Sequence, residues 1–451
     1  MGIEHWSTVP AATDEVFAWH ERPGALQRLM PPWLPGRVLR EADSLADGRA
    51  ELALPGGQVW IGQHDPAGFV PGRAFVDERV DAGARSAALA PIRWRHEHRF
   101  DPVETPTGQG TRVHDRVEAP VGSRALRPMF VYRHRQLADD LRRHAELAAE
   151  PMRVAVTGGG GLIGTALRAF LTTGGHEVVR LVRRDPGEHE RRWDPDWPAD
   201  DLLEGIDAVV HLAGASIFGR FDEGHRHRIR ASRIGPTRLL AERAAAAGVR
   251  TFVSASGIGG YGADRGDEVL SEESAQGDGF LAEVVADWEA EAALAGAGGA
   301  RVVQVRTGLV QSPRGGMLQV LRPIYAAGLG GPLAGGEHWQ AWIGLDDLVD
   351  VYARALVDDR LQGPVNAVVP DPVRQAEYAD VLAGVLHRPA VLPTPSLGPR
   401  VLLGHQGMQE LALADQRVVP AKLLAAGHRF RHPGLEDALR HMLGKQREAG
   451  R

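Results

Sequence analysis

Gly158, Gly161 and Gly164 recur at intervals of three, between an apolar run at 152–156 and a stretch that reads as a helix from Leu162. Glycine at the first position permits a tight turn. At the second it lets backbone approach a pyrophosphate, and at the third it lets the helix pack close to the strand. A helix opening at Leu162 and Ile163 also offers free N–H groups and the positive end of its dipole. The pattern therefore predicts a bound dinucleotide. Its spacing is G-x-x-G-x-x-G rather than the commoner G-x-G-x-x-G, but a strand before it and a helix after it make the signal specific.

Other reactive side chains are few. The chain has no cysteine, which excludes disulfides, thiol catalysis and Cys-ligated zinc and suits a reducing compartment. Lys422 and Lys445 are the only lysines, so the middle of the chain holds no catalytic lysine. His96 and His98 alternate on a strand and share a face, as a metal pair would. No third ligand stands at a recognisable spacing, so they read as satisfied or exposed histidines, and no metal is expected.

Elements must position these residues. From Met152, strands at 152–157, 177–182, 207–213, 251–256 and 301–310 alternate with helices at 162–173, 222–247 and 280–295. That alternation predicts an α/β fold with a doubly wound parallel sheet of Rossmann type. Residues 1–150 read as an α+β unit. A short helix, capped by Thr13 or Asp14, carries Val16, Phe17 and Trp19. Strand-like stretches at 58–61 and 92–100 follow, then a helix with a stripe of Phe130, His134, Leu137 and Leu141. Pro151 marks the boundary. Phe17, Trp19, Met30, Trp33, Trp60 and Trp94 could either surround a hydrophobic ligand or fill a core. The expected organisation is 1–150, 151–395 with a substrate lobe, and a small helical extension at 396–451.

With 451 residues, 43% apolar and 24% charged, the composition is that of a globular protein of two or three domains. A net charge of −6 gives no reason to expect nucleic acid or a membrane surface as partner. The first residues lack a basic and then apolar leader, and no run is long enough to span a bilayer, so cytoplasm is the expected location. Oligomeric state stays open.

Several stretches together resemble the extended short-chain dehydrogenase/reductase superfamily. They are the glycine turn, Asp207-Ala-Val-Val-His-Leu-Ala-Gly214 and Val253-Ser-Ala-Ser256. Trp193-Asp194-Pro195, Ser232-Arg233, Trp288-Glu289, Arg306-Thr-Gly-Leu-Val310 and the segment from Gly328 to Asp347 narrow the resemblance to its atypical epimerase-family branch. The Val418-to-Phe430 stretch is similar to that branch's terminal extension. Residues 1–150, from Val16-Phe-Ala-Trp-His to Met30-Pro-Pro-Trp33, resemble START-like (SRPBCC) helix-grip ligand-binding modules.

The resemblance implies a nicotinamide cofactor and a small-molecule substrate. An NAD enzyme usually ends its second strand in Asp or Glu, which binds the ribose 2′-hydroxyl. Here Arg183 and Arg184 stand there, and guanidiniums attract a 2′-phosphate, so NADP(H) is expected over NAD(H). Asp185 would compete only after a shift of register. Leu212, Ala213 and Gly214 are expected beneath the adenosine, Arg233 at a phosphate and Val310 on the nicotinamide side.

The superfamily's proton-transfer pair, Tyr-x-x-x-Lys, is missing. The matching positions hold Phe280 and Val284, and phenylalanine cannot donate a proton. Two readings stay open. In one, Ser256 and Tyr261 serve catalysis in an oxidoreductase- or epimerase-like enzyme, with Glu283, Asp287 and Glu289 as nearby carboxylates. In the other, the protein binds NADP(H) without turnover, Ser256 is a strand-end hydrogen-bonding residue and Tyr261 is part of a wall.

Overall fold

The computed structural model describes residues 2–106, 108–390, 392 and 397–446. The chain divides into two compact units, residues 1–149 with 169–175 and 440–451, and residues 150–168 with 176–439.

The first unit is built on an antiparallel sheet. Its strands are β1 (Gly2–Val9), β2 (Arg37–Arg40), β3 (Arg49–Ala53), β4 (Val59–His64), β5 (Ala74–Val80), β6 (Arg95–Thr105) and β7 (Gly108–Glu118), in the order β1-β7-β6-β5-β4-β3-β2. Two short helices, α1 (Thr13–Glu21) and α2 (Ala25–Leu29), follow β1, and a long helix, α3 (Ser123–Leu147), closes the unit. Buried residues alternate along β6 and β7, as a half-buried sheet demands. The stripe of α3 meets that face, with Leu137 and Leu141 against Phe75, Phe100 and Val113, and Phe130 against Ile3 and Val117. Phe17 and Trp19 are packed into the first of these clusters, and Trp60 and Trp94 meet edge-to-face. The expected cap differs. Ala12 occupies the N-cap of α1, and the Thr13 hydroxyl bonds Thr111 instead (3.1 Å).

The second unit carries a parallel sheet. Its strands and helices begin with β8 (Arg153–Thr157), α4 (Leu162–Thr173, of which this unit holds the part to Arg168), β9 (Glu177–Val182), β10 (Glu190–Arg192) and β11 (Ala208–His211). Helices α5 (Glu223–Ala231) and α6 (Ile234–Ala246), β12 (Thr251–Gly257), β13 (Asp264–Leu270), α7 (Phe280–Ala293), β14 (Arg301–Thr307) and β15 (Leu309–Gln311) follow. The sheet order is β10-β9-β8-β11-β12-β14, with Gly363–Ala367 at the far edge. The order reverses beside β8, where an open α/β sheet forms its binding crevice. β8 and β11 are continuous apolar runs because helices cover both faces.

Two expectations are corrected. The helix at 222–247 is two helices, broken at Ser232-Arg233; Pro236 has no N–H to bond the carbonyl one turn back. The C-terminal stretch is not purely helical: Asp415–Val418 forms a strand parallel to β13, with Gln416 and Val418 turned inward. Among the described residues no helix is long and apolar enough to cross a membrane.

Candidate functional site

At the carboxyl ends of β8, β9 and β11 lies a cavity of about 710 Å³, lined by Gly158, Gly161, Arg183, Arg184, Leu212, Ala213 and Gly214 among others. Gly158 takes φ +65°, and a Cβ there would stand 2.8 Å from the Leu212 carbonyl, so the two turns meet backbone to backbone. A Cβ on Gly164 would stand 2.4 Å from the Gly158 oxygen, closer than any side chain tolerates. The Arg168 guanidinium donates to the Gly159 carbonyl at 3.0 Å and braces the turn. A pyrophosphate fits such a cradle of exposed main chain at a helix N-terminus.

A buried relay, missed in the sequence, holds the second turn. Thr157 Oγ1 accepts the N–H groups of Leu212 (3.0 Å) and Ala213 (3.1 Å). It lies 2.8 Å from His211 Nδ1, and His211 Nε2 lies 2.9 Å from Thr237 Oγ1. Burial drives the His211 pKa down to about 3, with Arg233 adding to the effect, so the ring is neutral. With two N–H donors already on Thr157, the consistent arrangement has Thr157 donating to Nδ1 and Nε2 donating to Thr237.

The cavity wall beyond β9 is basic but partly neutralised. Arg183 is exposed and makes no hydrogen bond or ion pair among the described residues. Arg184 and Arg180 each meet Glu190 Oε1 at 2.7 Å. Burial alone would raise the Glu190 pKa, but the Gly187 N–H and these two guanidiniums outweigh it and hold the carboxylate ionised. Arg180, Trp193, Pro195, Ser232 and Pro236 also line the cavity; of these only Trp193, Pro195 and Ser232 fall within motifs the sequence singles out.

Other expected residues lie elsewhere. Arg233 is buried, and its guanidinium donates to the carbonyls of Ala215 (2.9 Å) and Ile229 (3.1 Å), 5.0 Å from the Trp288 ring. A Cβ on Gly214 would come 3.0 Å from it, so this arginine supports the Gly214–Ala215 backbone from beneath. Burial lowers its pKa to about 10, which leaves it charged. Ile163 and Gly164 lie in the first turn of α4, behind the glycine turn. Leu162 turns toward Gly315, whose Cβ would meet it at 2.9 Å, and Val310 sits on β15 beside Ile343.

Neither candidate catalytic hydroxyl lines the cavity. Ser256 donates to Glu289 Oε1 at 2.6 Å, and the Arg306 guanidinium holds both Glu289 oxygens at 2.8 Å. Tyr261 is fully buried and donates to Asn366 Oδ1 at 2.8 Å; burial raises its pKa. Phe280 and Val284 open α7, Phe280 against Phe221 and Val284 buried.

The fold and cradle define a dinucleotide-binding Rossmann protein. A family model described as the NAD dependent epimerase/dehydratase family matches residues 154–367, and one described as a domain of unknown function, DUF1731, matches 394–442. An epimerase family protein of Mycobacterium bovis is 41% identical over 290 residues, which cover 63% of this chain and 96% of that one. The chain belongs to this epimerase family. A solved structure of a nucleoside-diphosphate sugar epimerase from Corynebacterium glutamicum is similar over 99% of this chain and 91% of its own, at TM-score 0.87 and 41% identity. The human epimerase family protein SDR39U1, solved with NADPH, covers 65% of this chain and 100% of its own length at TM-score 0.60 and 33% identity.

Proposed function

We propose that residues 151–395 bind NADP(H) and act as an oxidoreductase- or epimerase-like module on a small organic molecule. The observation that carries this reading is Arg183, an uncommitted guanidinium on the cavity wall where an NAD enzyme places an acid. Gly158, Gly161 and the N-terminus of α4 would hold the pyrophosphate, with Leu212, Ala213 and Gly214 beneath the adenosine. Arg184 would assist Arg183 at the 2′-phosphate. Arg233 acts as a positioning residue for the Gly214–Ala215 backbone, and Val310 faces the nicotinamide end. When bound, the cofactor supplies or accepts a hydride. The NADPH in the human relative supports the choice.

A second reading, binding without turnover, is favoured by the commitment of Ser256 to Glu289 and of Tyr261 to Asn366, and by Phe280 and Val284 at the proton-transfer positions. Residues 1–150 form, in this proposal, a START-like helix-grip module for a small ligand, a reading supported by the closing helix laid on a seven-stranded antiparallel sheet. The chain's lack of cysteine suits the cytoplasm.

Titration of the full chain with NADPH and NADH, followed by NADPH oxidation across a panel of carbonyl compounds, tests both readings. Tight NADPH binding with turnover supports the enzyme. Tight binding without turnover supports the second reading, and no binding of either nucleotide ends both.

A further inference from the structure

The N-terminal sheet buries a band of polar side chains that the cofactor reading does not use. Register explains how they meet. Asp77 pairs with His96 across β5 and β6, and His98 pairs with Asp115 across β6 and β7. Paired residues, and residues two apart on one strand, point to the same face of a sheet. All four therefore share a face, and His134 from α3 reaches the same group.

Asp115 organises the rings. Its Oδ1 lies 2.9 Å from His96 Nε2 and 2.7 Å from His98 Nδ1, and its Oδ2 lies 2.6 Å from His134 Nε2. Ser7 Oγ meets His134 Nδ1 at 2.7 Å and completes that ring's partners. The remaining nitrogens, His96 Nδ1 and His98 Nε2, converge on one oxygen, Asp77 Oδ2, at 3.4 and 3.5 Å. Ordinary N–H···O bonds cluster near ~2.9–3.0 Å. Ligands standing ~2.1 Å from a tetrahedral zinc are separated by about 3.4 Å. One ligand atom from each of Asp77, His96 and His98 lies within 4.8 Å of the other two.

Hydrogen-bond direction sharpens the point. Each imidazole gives one N–H to Asp115, so a neutral ring turns a lone pair toward Asp77. Two lone pairs and a carboxylate oxygen then face one another among Phe75, Phe100 and Val113 on one side and Val117 and Phe130 on the other. With both rings buried and Asp77 only partly exposed, such a group repels itself unless positive charge sits between its members. We propose that Asp77, His96 and His98 form a site for a divalent first-row transition cation, zinc by its geometry, and that Asp115 fixes both ligating rings. A carboxylate behind each ligating imidazole is the usual second support of such sites. Three protein ligands leave a fourth position for water or a small ligand. Charge agrees: Arg133 feels both carboxylates, so the two acids and one guanidinium leave one negative charge, which a divalent ion carrying hydroxide neutralises. The rival way to supply the charge is protonation of His96, whose pKa the two carboxylates raise against burial.

The test uses the full, untagged chain, stripped with a chelator and titrated with Co²⁺ alone. One equivalent binds per chain with the intense visible bands of a four-coordinate ion, and Zn²⁺ displaces it. Asp77→Asn and His98→Gln each weaken uptake by about tenfold or more, and Asp115→Asn, acting through the rings, by about 10–100-fold. Zinc-edge X-ray absorption of the unmutated protein counts two imidazoles and oxygen, a readout that stands even if a variant misfolds. The proposal falls if the unmutated chain takes up neither ion at micromolar concentration, if Asp77→Asn leaves uptake unchanged, or if nitrogen NMR finds His96 still doubly protonated with the ion present.

Discussion

The Ser256 hydroxyl donates to the Glu289 carboxylate at 2.6 Å, and Arg306, cross-strand partner of Ser256, clamps that carboxylate from the other side. While that contact holds, the hydroxyl can pass its proton only by way of the carboxylate. Glu289 and Arg306 both retain some exposure, so Glu289→Gln is expected to cost roughly 2 kcal/mol of stability in urea unfolding, less than a fully buried pair would. Ser256→Ala costs less stability, and abolishes turnover only if the enzyme reading holds.

Arg183→Ala should weaken NADPH binding by about 1.5–3 kcal/mol, the range for hydrogen bonds to a charged group, and leave NADH within about twofold. Calorimetric titration checks this. Equal losses for both nucleotides remove the basis of the cofactor assignment.

Gly164→Ala forces a methyl to within 2.4 Å of the Gly158 carbonyl. Backbone cannot step aside as a flexible side chain can. We expect a loss of about 1–3 kcal/mol in stability and a larger loss in nucleotide affinity, because the displaced turn is the cradle itself.

Tyr261→Phe removes the only donor to Asn366 Oδ1 among the described residues, in a fully buried setting, and should cost about 1–3 kcal/mol in thermal unfolding. Nucleotide affinity should not change. Loss of turnover in a folded variant would instead give Tyr261 a catalytic part.

Asp347 supplies the pH dependence. It is fully buried, and burial pushes its pKa up to about 6, although His432 and the Arg431 N–H pull the other way. A carboxyl raised in the folded state binds its proton more tightly there than in the unfolded chain. Its contribution is therefore present below the unfolded value, near ~4, and is lost as pH rises through about 6. The stability of Asp347→Asn relative to the unmutated protein should rise by about 3 kcal/mol between those limits and level off above them. A flat difference across urea midpoints at several pH values would contradict this assignment.

Much of the architecture is legible in the sequence because its signals are local. The glycine turn, the apolar runs of β8 and β11 and the stripe of α3 depend on neighbours a few residues away. Missed features have a different origin. The break at Ser232-Arg233 depends on Pro236 in a stretch whose helical period runs unbroken across it. The Asp415–Val418 strand is too short to announce itself and exists because β13 offers it an edge.

Residue type and short spacing were enough to place the glycine turn, the arginine pair after β9 and the absence of any Tyr-x-x-x-Lys spacing. Only the folded structure shows that Glu190 engages Arg180 and Arg184 rather than Arg183, and that Thr157, His211 and Thr237 form one relay. It also brought Asp77 to His96 and His98. The meetings of Thr157 with His211 and of Asp77 with His96 depend on register between separate strands. A shift of one residue would turn each side chain to the opposite face, and no local pattern records which register is taken.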